Sequence, residues 1–383
     1  MDILFLAHRA PFPPDRGDRI RSFNILKYLS ARARVHLIAF TDDDAVMTNE
    51  HRAMVDECVL VRRTKSQLRA VAEALATGRP VSLTAFADRR IERAVDEMVA
   101  RRRIDAVYAF SGQMAQYIPR TGRVAIMDFV DLDSAKFAAY AEDASGPMRW
   151  MMRREARLLA GYERAVAGRA AASLFVSAAE AALLPGSRAL ENGIDTVFYD
   201  PRLAAPVPSQ HPLIVFTGQM DYRPNVDAVT WFARSVLPMI PDAHFAIVGR
   251  APTPAVRTLA AANVTVTGEV ADVRGWLAAA DVVVAPLQLA RGVQNKVLEA
   301  MAMARPVVAS TGAAEGIDHA GTIRIATDAR EYAESVTALL RDPAGAAALG
   351  EAAREQVMAR YGWDARLAPL DDLLGLGGAG EIG

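Results

Sequence analysis

The sequence predicts an α/β chain of two doubly wound domains, each a parallel sheet covered by helices on both faces. Three observations predict it. The chain has 383 residues, about twice the usual length of one domain. Short apolar runs alternate with longer helical patterns along its whole length. One proline cluster, Pro201, Pro206, Pro208 and Pro212, interrupts that alternation near the middle, and a new strand–helix series starts directly after it.

In the first half the strand candidates are residues 3–7, 35–40, 59–61, 106–110, 124–129 and 173–176, with helical stretches at 19–30, 67–76 and 90–101. In the second half strands read at 213–217, 244–248, 264–267, 282–285 and 307–309, and helices at 225–236, 273–279, 294–303 and 331–340. These runs are apolar on both faces, which suits parallel strands buried between helix layers. Residues 1–200 are therefore assigned to one Rossmann-like domain, 201–212 to a linker and 213–360 to a second such domain. Residues 361–383 read as a helix, expected to cross back to the first domain, and a glycine-rich tail. Two such sheets facing across a cleft would place ligands at the C-terminal strand ends.

Composition narrows the function. Hydrophobic residues make up 52% and charged residues 23%, as in a globular chain with a sizeable core. A net charge of −1 gives no electrostatic case for nucleic acid. Cys58 is the single cysteine, which excludes an internal disulfide and a multi-cysteine metal site. Its neighbours Val59, Leu60 and Val61 point to a buried strand and an inert thiol. The N-terminus reads as a first strand, not a signal peptide, and no stretch of about 20 apolar residues appears. The expected compartment is cytoplasmic.

Gly375-Leu-Gly-Gly-Ala-Gly380 matches G-x-G-x-x-G by letter, but that fingerprint works only between a strand and the helix it opens. Here the chain ends three residues later, so no dinucleotide site is read there.

The informative segment is 285–310: strand, loop, helix, strand. Its loop carries Arg291 and Gly292 just before the helix. A helix N-terminus offers unpaired amides and a partial positive charge, which suits a phosphate, and glycine admits close approach. Lys296 and Glu299 are three apart and share a helix face. Lys296 is one of only four lysines in the chain. Spacing alone fits an ordinary surface ion pair equally well.

The stretch Arg291-Gly-Val-Gln-Asn-Lys-Val-Leu-Glu299-Ala-Met-Ala, followed by Pro306-Val-Val-Ala309, resembles the donor-binding motif of the family 4 glycosyltransferases, retaining enzymes of the GT-B fold. It most resembles their branch that accompanies PEP-CTERM and exopolysaccharide systems. The resemblance assigns Glu299 to the ribose hydroxyls of the donor nucleotide. Arg291 stands where the family has a glutamate facing the donor sugar, a departure. Gly292, Val293 and Lys296 are implied as donor contacts.

Other positions match over nearly the full length. The turn Phe216-Thr-Gly218-Gln-Met-Asp-Tyr-Arg223-Pro-Asn-Val-Asp227 is similar to the family's first strand-to-helix turn of the C-terminal domain. Relatives place an Arg and a Lys there for the diphosphate; this chain has Gln219 and Asn225. Arg223, Arg291 or Lys296 would then supply the positive charge. Asp221 and Asn225 read equally as turn and cap residues. Val248-Gly-Arg250 resembles the next strand end, and Glu191-Asn-Gly-Ile-Asp195 the segment before the linker.

In the N-terminal half, Leu6-Ala-His8 ends a strand, and a loop with Pro11, Pro13, Pro14 and Gly17 leads to a helix. The resemblance puts Gly17 and Arg19 near the donor, with Asp18 an N-cap candidate. His8 is either a hydrogen-bonding core residue or a catalytic one. Relatives carry a histidine after a central strand, but this chain has none between His51 and His211. Asp128, Asp131 and Asp133 stand there instead. Asp131 is the candidate for acceptor or sugar hydroxyls; Asp133 and Ser134 read as helix caps. No metal is expected, because the family neutralises its leaving diphosphate with helix dipoles and basic side chains.

Residues 148–159 mix arginines with Met148, Trp150, Met151 and Met152. They fit either a core-packing helix with a solvated Arg face or a helix lying on an anionic membrane. The expected reaction moves a sugar from a nucleoside-diphosphate-sugar to a hydroxyl of a glycan or lipid-linked glycan. The alternatives are a sugar-nucleotide epimerase and a non-catalytic sugar-nucleotide or glycan-binding module.

Overall fold

The computed structural model describes residues 1–14, 17–41, 47–119, 123–288 and 293–376. The chain divides into two compact units. One is Met1–Asn192 together with the chain from Arg366 on; the other is Gly193–Ala365. Residues 193–200, read as the end of the first domain, and the proline segment 201–212, read as a linker, both fall in the second unit. Hydrogen bonds hold them there. The Val207 N–H donates to the Gly275 carbonyl at 3.0 Å, and Arg354 donates to the Tyr199 carbonyl at 2.8 Å.

The first unit is built on β1 (Asp2–Ala7), β2 (Arg34–Thr41), β3 (Glu57–Arg62), β4 (Ala106–Phe110), β5 (Val124–Val130), β6 (Ala172–Phe175) and β7 (Arg188–Ala189). Their order in the sheet is β3-β2-β1-β4-β5-β6-β7, and β1 pairs in parallel with both β2 and β4. The second unit has β8 (Leu213–Thr217), β9 (His244–Val248), β10 (Val264–Gly268), β11 (Val282–Ala285), β12 (Val307–Ala309) and β13 (Arg324–Ile325), in the order β10-β9-β8-β11-β12-β13. Both are Rossmann-like. The chain winds outward from the first strand, then returns past it, so each sheet has a topological switch point, between β1 and β4 and between β8 and β11.

The apolar runs explain the strands. Every residue of β1, β4 and β8 is buried, as helices on both faces require. Each fully buried Phe or Ile contributes about 1.5–3 kcal/mol over its exposed state. β7 and β13 have no such run. They are two-residue edge strands with exposed side chains, and they leave no pattern to read.

Helix Gly146–Ala167 contains residues 148–159. Its buried residues are Glu155, Leu159, Glu163 and Val166, so two acids lie on its inward face. Glu155 accepts from the Val81 and Ser82 amides at 2.8 and 2.7 Å, and Glu163 from the Ser134 amide at 3.0 Å. Each carboxylate thus takes orphan donors at the start of a neighbouring helix. Met148 and Trp150 are more than half exposed. Among the described residues no helix is long and apolar enough to cross a membrane.

Candidate functional site

The C-terminal ends of β8 and β9, with the start of helix Asn295–Ala302, enclose a cavity of about 580 Å³ in the second unit. That volume suits a nucleotide-sized ligand, and its place beside the switch point is where such sheets bind one. Gly218 and Gly249 shape it. A Cβ on Gly249 would lie 1.7 Å from the Gly218 carbonyl oxygen, so the two turns touch only because Gly249 carries no side chain. A Cβ on Gly218 would lie 2.8 Å from Asn225 Nδ2 and 3.1 Å from Lys296 Nζ.

Lys296 lies in the first turn of its helix, and its ammonium turns under the end of β8. Nζ donates to Asn225 Oδ1 at 2.5 Å and stands 4.2 Å from the centroid of the Phe216 ring. Asn225 in turn donates from Nδ2 to the Gln219 carbonyl at 2.9 Å, so its amide group is fully oriented. Burial draws the Lys296 ammonium down to about 8, opposed by the nearby Glu299 carboxylate. Asn225 therefore fixes the cation that comes from the facing helix.

Glu299, one turn on, lines the same cavity. Burial raises its pKa, offset by the hydroxyl of Tyr199, which donates to it, and by Lys296. Gln294 stands at the N-cap, and its side chain makes no capping bond to the helix amides. Across the cavity Arg250 donates to Gln219 Oε1 at 2.9 Å. The arrangement offers fixed cations and amides for a diphosphate, and a carboxylate suited to vicinal hydroxyls.

Of the expected donor residues, Gly218, Arg250, Val293, Lys296 and Glu299 line this one cavity. Arg223 does not. It is 92% exposed and pairs with Asp227 at 3.6 Å. Arg291 and Gly292 lie outside the described residues. Tyr199 and Asn225 are the partners that sequence reasoning did not place. Asn225 sat in the recognised turn but read as a cap, and the single aromatic Tyr199 lies far from its partner along the chain.

In the first unit His8 follows β1, and its Nε2 stands 3.3 Å from Asp18 Oδ2. Asp18 also accepts from Arg9, so it holds these two side chains instead of capping its helix. The His8 hydrogen bond, with Arg9, keeps the Asp18 carboxyl far below the usual carboxylate range. The His8 ring stacks near Phe110, with centroids 5.8 Å apart, and meets Phe86 edge-on at 6.0 Å. Gly17 opens helix Gly17–Ser30, and a Cβ there would meet open space. Arg19 is buried within that helix at 5% exposure.

The three carboxylates after β5 separate. Asp128 is fully buried, 2.9 Å from Arg21 Nη2 and 2.8 Å from the Tyr108 hydroxyl, which donates to it. Asp131 is exposed. Asp133 is half-buried and accepts from Gln113 at 2.9 Å, and burial raises its pKa. Between them Val130 has φ +71° and, directly after neighbouring β4, Ser111 has φ +77°. Such backbone costs about 1–3 kcal/mol at each position and tends to collect at functional strand ends.

Two Rossmann-like units, one with a nucleotide-sized cavity beside its switch point, are the architecture of the GT-B fold. Residues 211–342, all within the second unit, match the family model "Glycosyl transferases group 1", which supports a glycosyltransferase. A search of curated proteins finds no match. Among solved structures, sucrose-phosphate synthase from Thermosynechococcus elongatus is similar over 97% of this chain and 98% of its own, with 20% identity and a TM-score of 0.59. Anabaena HepE in complex with UDP covers 98% of this chain and 100% of its own, with 17% identity and a TM-score of 0.61. WaaG, a glycosyltransferase involved in lipopolysaccharide biosynthesis, covers 98% and 100%, with 18% identity and a TM-score of 0.57.

Proposed function

We propose that the protein is a retaining, metal-independent glycosyltransferase that moves a sugar from a nucleoside-diphosphate-sugar to an acceptor hydroxyl. The observation that carries this reading is the Lys296–Glu299 pair in the second-unit cavity. A half-buried ammonium and a half-buried carboxylate, one turn apart, match the diphosphate and the ribose of one ligand.

In this reading Lys296, Arg250, the Val293 amide and the amides that open helix Asn295–Ala302 hold the diphosphate. Breaking the bond to the anomeric carbon develops negative charge there, and preorganised donors lower that barrier. Arg291 and Gly292 are proposed as further donor contacts. Glu299, steadied by Tyr199, accepts from the ribose hydroxyls. Gly17 and Arg19 remain proposed as donor-side positions. His8, oriented by Asp18, and Asp131 are proposed to meet the acceptor or sugar hydroxyls. Retention and independence of metal rest on the family resemblance.

The acceptor proposed is a glycan or lipid-linked glycan of a surface polysaccharide, at the inner face of the membrane. Exposed Met148 and Trp150, beside exposed Arg149 and Arg153, support peripheral contact there. WaaG, a similar structure, is involved in lipopolysaccharide biosynthesis, which supports a surface-polysaccharide acceptor. Release of nucleoside diphosphate from a panel of nucleotide sugars tests the reading. Acceptor-dependent release from one donor is expected. Conversion of the donor into a different sugar nucleotide without acceptor would replace the reading with an epimerase.

A further inference from the structure

β8 is apolar up to its last residue. Leu213, Ile214, Val215 and Phe216 are buried aliphatic or aromatic side chains, and Thr217 closes the strand. Thr217 is 3% exposed and lines the second-unit cavity. Its Oγ1 has no hydrogen-bond partner among the described residues. A buried hydroxyl without a partner has lost its water and gained no bond in return, so it lowers stability. A valine has nearly the same shape and would avoid that loss. Val248, which pairs with Thr217 at the end of β9, is such a valine, and it lines the same cavity.

Two other hydroxyls at strand ends of this sheet are satisfied. Thr267 in β10 donates to the Gly268 carbonyl at 2.8 Å. Ser310, directly after β12, donates to the Leu287 carbonyl at 2.7 Å and accepts from the Ala313 amide at 3.1 Å. Both serve the backbone, and neither lines the cavity. Thr217 does line it, and its neighbour Gly218 sits against the ammonium of Lys296, 3.1 Å from where a Cβ would stand. A buried, unpaired hydroxyl beside a fixed cation fits an anionic oxygen, to which the hydroxyl donates and the cation adds charge. The hydroxyl gives up no internal bond when it does so, and its new bond counts in full toward affinity.

We propose that the Thr217 hydroxyl is a ligand contact, unpaired in the free chain and donating to a phosphate oxygen of the bound nucleoside diphosphate. The proposal rests on the donor reading of this cavity and adds to it a neutral donor beside the cations. It also means that β8 holds a destabilising group which the ligand satisfies.

The test sets Thr217→Val and Thr217→Ser beside the wild type, each as the full chain. The measurements are the melting temperature without ligand, UDP affinity by calorimetry, and the inhibition constant of inorganic pyrophosphate against UDP. Valine keeps the shape and removes the hydroxyl. Thr217→Val should melt no lower than wild type, yet bind UDP about tenfold or more weakly. Pyrophosphate should weaken in parallel, since it has the phosphates without ribose or base. Thr217→Ser keeps the hydroxyl and should bind UDP nearly as tightly as wild type. A lower melting temperature in Thr217→Val, or unchanged UDP affinity, would overturn the proposal, because either shows a hydroxyl that serves the fold and not the ligand. Thr217→Ser binding UDP as weakly as Thr217→Val would overturn it too, since the methyl group would then be what matters. Pyrophosphate that fails to displace UDP from the wild type, or inhibits Thr217→Val as strongly, would overturn the phosphate assignment. A wild type that does not bind UDP defeats the donor reading itself. A wild type that binds, with Thr217→Val binding equally, defeats only the role of Thr217.

Discussion

Lys296 Nζ and Asn225 Oδ1 meet at 2.5 Å, joining the helix after β11 to the turn after β8. The two residues are 71 positions apart, and the contact brings a desolvated ammonium to the cavity wall under Phe216. A fixed cation costs no reorganisation when charge develops on a leaving diphosphate.

That placement predicts a pH dependence. Lys296 titrates at about 8 in the folded chain and near 10.5 when unfolded. Between those values the unfolded chain holds more protons, so this group makes stability rise with pH from about 8 to about 10.5. Urea titrations across that window should show the rise, and Lys296→Met should flatten it. UDP binding has the opposite slope. It needs the ammonium, so affinity should fall by up to about tenfold per pH unit above about 8. Calorimetry in buffers of different ionisation enthalpy should show proton uptake on binding near that pH.

The turns after β8 and β9 predict a steric result. With a Cβ 1.7 Å from the Gly218 carbonyl oxygen, Gly249→Ala must move backbone, not a side-chain tip. We expect a fall of several degrees in Tm, and UDP affinity reduced at least tenfold. Gly17→Ala, where a Cβ meets open space, should leave Tm within a degree or two.

Arg21 and Asp128 form a buried pair, and Arg21 also donates to Asn192 Oδ1 at 2.8 Å. Removing one partner strands the other charge, so Arg21→Met should cost about 3–5 kcal/mol in chemical denaturation. Arg21→Met with Asp128→Leu should recover a large part of that loss. A single-variant cost under about 1 kcal/mol would show that the pair is not buried as described.

His8 and Asp18 carry the acceptor side of the proposal. His8→Ala should lower kcat about 10²–10⁴-fold and leave UDP affinity unchanged, since its unit does not contain the nucleotide cavity. Asp18→Asn should lower kcat less, because it leaves the imidazole in place but loosens its orientation. Steady-state kinetics paired with UDP titration separates the two effects.

The strands of both sheets, except the two-residue β7 and β13, were legible because apolar runs on both faces are a strong signal; 213–217, 244–248 and 282–285 match to the residue. Helix Pro343–Arg360 was not, because small residues carry its packing. A Cβ on Gly350 would sit 2.2 Å from the Ala304 carbonyl, and such close approach leaves no apolar stripe. Glu155 and Glu163 show the same limit from the other side. An acid on an inward face reads as solvated until the amides it caps are seen. That Lys296 and Glu299 line one cavity followed from helix spacing and resemblance. Tyr199 and Asn225 did not, because their roles depend on contacts made 100 and 71 residues away. Arg223 was drawn into the site by its place in the turn, yet the helix turns it to solvent beside Asp227.

The most direct test of the donor site is calorimetric titration of the full chain with UDP, set beside Glu299→Ala and Tyr199→Phe. A charge-assisted hydrogen bond contributes about 1.5–3 kcal/mol. Glu299→Ala should therefore weaken UDP roughly 10- to 150-fold, and Tyr199→Phe by less, with both variants folded. Equal UDP affinity in wild type and folded Glu299→Ala would contradict the assignment of this cavity to the donor nucleotide.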